Sequence, residues 1–88
     1  MTNTQQLHEI LSAALENAEK SMQYFDWMNK AIEDENKDGE NYWCVCQEYD
    51  GKARGLLEAY KVLTGREIMA VRSYIRDEIE SLCLVTPF

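Results

Sequence analysis

Proline and glycine are nearly missing from this chain. Its 88 residues include four glycines and a single proline, Pro87, which stands next to the end. No proline ring therefore interrupts a helix anywhere in the body of the sequence. Histidine is represented only by His8, so no paired-histidine metal or catalytic motif is available. No apolar run approaches the length of a membrane span, and Met1 to Glu9 has neither the basic nor the apolar region of a signal peptide. Positive charge is also short, with 9 Lys and Arg against 16 Asp and Glu, a net charge of −7. Such a chain is repelled by phosphate backbones and by anionic membrane surfaces, so neither nucleic acid nor membrane is expected as a direct partner. The three cysteines, Cys44, Cys46 and Cys83, are an odd number, which fits a reduced protein better than a disulfide scaffold. The cytoplasm is the expected compartment.

What is present is enough to fold. Hydrophobic residues make up 45% and aromatics 10%, which argues against disorder. One domain over residues 1–88 is expected. A chain of this size buries only about 60–65% of the surface its unfolded form exposes, so its core is thin and self-association would help it.

Apolar residues recur with alternating steps of four and three at Leu7, Leu11, Ala14, Ala18, Phe25, Met28 and Ile32, broken only by Ser21. That is a heptad seam, and it predicts a first helix over about 4–36. A second stripe beside it, Ile10, Ala13, Tyr24, Trp27 and Ala31, widens the apolar face enough for two neighbours. Trp27 is expected to meet the third helix. Residues 33–41 contain nothing apolar and include Asp38-Gly39, a strong turn signal. Asp38 can cap the next helix, and Gly39 can take a positive φ. A second seam, Tyr42, Cys46, Tyr49, Ala53, Leu56, Tyr60 and Leu63, predicts a helix over about 40–63. Two seams of similar length joined by a short connection predict an antiparallel hairpin. Thr64 and Glu67 have capping-box spacing, so a third helix is expected over about 65–83, with Ile68, Val71, Ile75, Ile79 and Leu82 as its face and an apolar tail at 84–88. The fold class is all-α: a helical hairpin plus a third helix, a three-helix bundle.

On the far face of helix 2 lie Gly51, Gly55 and Ala59. Each glycine costs about 1 kcal/mol relative to Ala in a helix interior, so a close approach of another backbone is expected there, or a break near Gly51. More apolar surface is present than three helices hide, and assembly into a homodimer or larger helical bundle through this face is the natural remedy. Trp43 shares an otherwise polar line with Gln47, Asp50 and Arg54. It is either an exposed interface anchor or a cover beneath the acidic turn. Charge is unevenly placed: residues 1–50 are net −8, residues 51–76 net +4 and the remainder net −3. Arg72 and Arg76, one turn apart, either face an acidic partner or pair with the acidic face of helix 1 and with Glu80. Phe88 adds a last apolar contact.

Asp34, Asn36, Asp38 and Gly39 occupy positions 1, 3, 5 and 6 of a calcium loop between two helices, and over those six residues the segment resembles the EF-hand family. It departs from that pattern at position 8, which is Asn41, and at position 12, where Val45 replaces the bidentate Glu. A solvated acidic turn is the favoured reading. Cys44 and Cys46 are two apart on a helix and point to different sides, so they cannot share a metal. Cys44 and Cys83 are available thiols with no His near them in sequence, and no Ser nucleophile motif, Gly-rich phosphate loop or paired His is evident.

The expectation is thus a non-enzymatic, cofactor-free protein-interaction module with a protein partner, a homo-oligomer, with Trp43, Gly51, Gly55, Ala59, Arg72, Arg76 and Phe88 as candidate interface residues. Two other readings stand beside it. One is an acidic inhibitor mimicking nucleic acid, which resembles the small proteins of mobile elements in size and charge. The other is a weak calcium or small-ligand binder using the Asp34–Asp38 turn.

Overall fold

The computed structural model describes the backbone of residues 3–35 and 37–85, and the side chains of residues 4–35 and 37–82. It contains three helices and, among the described residues, no strand: α1 (Asn3–Glu33), α2 (Gly39–Thr64) and α3 (Arg72–Val85). No helix among them is long and apolar enough to cross a membrane. The molecule measures 49 × 21 × 20 Å. Its long dimension is set by α1, whose 31 residues rise about 46 Å.

α1 and α2 form the antiparallel hairpin. At its middle Ser21 is buried, and its Oγ donates to the Cys46 carbonyl oxygen at 3.1 Å and lies 3.4 Å from Cys46 Sγ. The one polar residue in the seam of α1 is therefore a satisfied cross-link to α2. The main core, Leu11, Ala14 and Ala18 with Ala53, Leu57 and Tyr60, lies in the half of the hairpin away from the turn, where Ile75 of α3 completes it. The heptad seams are followed over most of the contact and left near the turn on α1 and toward the open end on α2. On α1, Ala31 is buried while Phe25 and Ile32 are exposed; on α2, Leu57 is buried and Leu63 exposed. A nearly straight helix turns about 20° per heptad relative to a strict seven-residue repeat, so the contact line moves off its starting residues.

The turn is built differently from its sequence expectation. Glu35, not Gly39, takes the positive φ, at 55°. Gly39 is instead the first residue of α2, buried against Ala31 and Ile32. Asp38 stands at the N-cap in helical conformation, without a side-chain cap hydrogen bond. Residue 36 lies outside the described residues.

α2 runs unbroken through Gly51 and Gly55. It ends where a helix start is expected. Gly65, at φ 75°, donates its N–H to the Lys61 carbonyl at 2.7 Å, a left-handed C-cap. Thr64 Oγ1 donates to the Tyr60 carbonyl and accepts from the Arg66 N–H, so it finishes α2 rather than starting α3. The third helix accordingly begins seven residues later than residue 65. The intervening segment turns back along α2, and its Ile68, Met69 and Ala70 line a recess with Arg54, Leu57 and Glu58.

α3 then packs beside α1. Arg76, in its second turn, reaches Glu19 of α1 at 3.1 Å, whereas Glu78, Ile79 and Leu82 meet the core. Glu78 is only 7% exposed. Tyr60 Oη donates to its Oε2 at 2.5 Å, and Arg66 donates to both oxygens, at 2.7 and 2.8 Å. The buried carboxylate thus ties α2, the connecting segment and α3 together.

Candidate interaction surface

The length of α3 decides what the molecule leaves bare. Its 14 residues rise about 21 Å, less than half of α1. It covers one side of the hairpin from its open end to about Glu19 and stops. The same side continues toward the turn on matching registers: Phe25 and Ile32 follow Leu11 and Ala18 at seven-residue steps on α1, and Trp43 stands two heptads before Leu57 on α2. Where α3 is present these positions form core; beyond it they face solvent. Ile32 is 61% exposed, Met22 55% and Trp43 44%. Met28, Ile32 and Trp43 line an open groove of about 760 Å³, floored by Gly39 and flanked by Lys37 and Glu40. Of the two placements expected of Trp43, the structure shows the exposed one, beside the turn and across the groove from Met28 and Ile32.

The opposite side of the turn half is filled by its own aromatic rings. Tyr24 meets Trp27 edge to face at 5.0 Å between centroids and stacks on Tyr49 at 5.7 Å. Tyr42 lies 5.9 Å from Trp27. Lys20 and Lys52 stand over the Tyr49 ring at 5.5 and 5.1 Å. Trp27 therefore meets Tyr24 and Tyr42 and not the third helix, because α3 lies on the other side of the hairpin. Rings in mutual contact at these distances hold that side together, although Trp27 remains 42% exposed and borders a recess with Lys30, Ala31, Asp34 and Tyr42.

The remaining sequence candidates fall elsewhere. Gly51, Gly55 and Ala59 are exposed on the outer face of α2, and a Cβ built on either glycine meets nothing within 4 Å. The close backbone approach expected of them is not made among the described residues. Arg76 pairs with Glu19 rather than with Glu80. Arg72, the first residue of α3, is exposed and makes no ion pair among the described residues. Phe88 lies outside the described residues, as do the side chain of Cys83 and Asn36 of the acidic turn. No group of three metal-capable side chains is found among the described residues. Cys44 is exposed and Cys46 buried. Along α1, Glu16 pairs with Lys20 and Glu19 with Arg76.

Phe25, Ile32 and Met22 were not picked out as surface residues by periodicity, since the first two lie on the seam. A usable signal was present all the same: the expected third helix is far shorter than the expected first, so part of the seam had to lack a third layer.

Comparison with family models, with curated proteins and with solved structures finds no match.

Proposed function

We propose that this chain is a non-enzymatic helical interaction module that holds another polypeptide in the groove beside its turn. One observation carries the reading: beyond the start of α3 the same side of the hairpin continues toward the turn as a groove lined by Met28, Ile32 and Trp43, of which Ile32 and Trp43 are exposed. The bare stretch is roughly 20 Å long, from the start of α3 to the turn, and the molecule is 20 Å wide. The face so outlined is on the order of 400 Å², of the size at which an exposed patch on a soluble protein is often functional. Its two sides differ in the way an interface differs from a core. The aromatic side has ring partners within the chain, while the exposed Trp43 and Ile32 of the groove gain most from a second surface.

The test is affinity capture from cells that express the chain, with wild type compared against Ile32→Glu and Trp43→Ala. Both positions are exposed, so the variants keep their helices. A polypeptide, either the same chain or another, is retained by wild type and lost with both variants. If nothing is retained in a groove-dependent way, the reading fails.

A further inference from the structure

We infer that the occupant of this groove is a second copy of the same chain, laid antiparallel so that two turn halves overlap in a four-helix bundle. The inference rests on the groove being a polypeptide site, as proposed above, and adds the identity and orientation of the partner.

Length supplies the first argument. The bare stretch begins where α3 begins and ends at the turn. A second hairpin turned end for end fits it in one register, with each turn brought up against the first residue of the other copy's α3. The patch formed by Phe25, Ile32 and Trp43 on one copy then meets the same patch on the other, as a two-fold interface requires. The overlap is a four-helix segment, and on either side of it each hairpin is backed by its own α3, so the whole length gains a third or fourth layer.

Charge supplies the second. The end of α1 and the turn carry Glu33, Asp34 and Glu35, all exposed and without an ion pair among the described residues. α3 starts with the exposed Arg72, and no acid occupies its first turn. Its N-terminal backbone N–H groups add further positive potential. In the antiparallel arrangement the acidic turn of each copy meets the basic start of α3 in the other, twice over. A parallel arrangement would set the two acidic turns side by side and repel. The uneven charge of the sequence, negative before residue 50 and positive over 51–76, then has a structural use. It selects the orientation of the pair.

Sedimentation equilibrium of the full chain at low salt, over a range reaching high micromolar concentration, tests this directly. The expected species at high concentration has twice the 10.3 kDa chain mass. Ile32→Glu stays monomeric with unchanged helicity. Arg72→Glu weakens association by about tenfold or more at low salt, and combining it with Glu35→Lys restores it. In a Trp27→Phe background, Trp43 emission shifts to the blue as concentration rises. A wild-type chain that remains monomeric throughout overturns the inference; if such a chain still captures a different polypeptide through Ile32 and Trp43, the interaction reading survives alone. A dimer indifferent to Ile32→Glu, or one whose Arg72→Glu defect is not repaired by Glu35→Lys, also overturns it.

Discussion

At the scale of single residues, the most consequential side chain is Glu78, an acid buried in a thin core. A buried carboxylate is tolerated when every lone pair is engaged and a cation is at hand, and Tyr60 and Arg66 supply both. The Arg66 fork holds the Glu78 carboxyl below the usual carboxylate range, against the opposing pull of burial and with further help from the Tyr60 hydroxyl. Burial first, and then its bond to Glu78, push Tyr60 up to about 12. The two shifts act on opposite limbs of a stability profile. Because the folded state favours ionised Glu78, its contribution is present above the ordinary value of about 4.3 and is lost as pH falls through the depressed one. Because the folded state favours neutral Tyr60, its contribution is present below the ordinary value of about 10 and is lost as pH climbs toward about 12. Urea midpoints measured across pH are expected to fall at both ends. Glu78→Gln should cost about 1–3 kcal/mol at neutral pH, the scale of charge-assisted bonds, and flatten the acid limb; an unchanged acid limb would remove this role. None of this was legible in the sequence, where Glu78 is one of three acids in a charged stretch. Its partners are 12 and 18 residues away, and only the reversal of the chain at Gly65 brings them together.

Among the elements, periodicity told most of the story and local signals told the least. The two seams specify two long helices and a hairpin, because burial of an apolar stripe outweighs every local preference along it. The third helix starts later than the capping-box spacing predicts, for a physical reason. Thr64-Gly65 serves equally as the start of one helix and as the end of another, and the choice is made by Gly65 adopting a left-handed φ that a continuing helix cannot use. The turn departs from its local signal in the same way, since its positive φ falls on Glu35 although a glycine stands four residues on. Glycine in the interior of α2 was read as a sign of close approach, yet Gly51 and Gly55 face open space. If that face stays uncovered in solution, Gly51→Ala and Gly55→Ala should each stabilise the chain by about 1 kcal/mol, the ordinary helix-interior difference. Thermal melts of the two variants check this, and a loss of stability would place a second backbone there after all, making the outer face of α2 the contact between copies.

For the molecule as a whole, the half-length of α3 divides the hairpin into a three-layered part and a two-layered part. The first contains the buried cluster from Leu11 to Ile75; the second is held by Ser21, the aromatic rings and Ala31. Cooperative opening follows the distribution of buried apolar surface. Amide hydrogen exchange at low concentration should therefore be faster over 25–33 and 39–45 than over 8–20 and 53–62, and the fast region should slow as concentration rises. Equal protection in both halves would mean that the third layer matters less than its contacts imply. A chain built this way concentrates its softest backbone and its stickiest side chains in one place. If a partner settles on the groove as proposed, it stiffens the tip as it binds, and recognition and completion of the fold become one event.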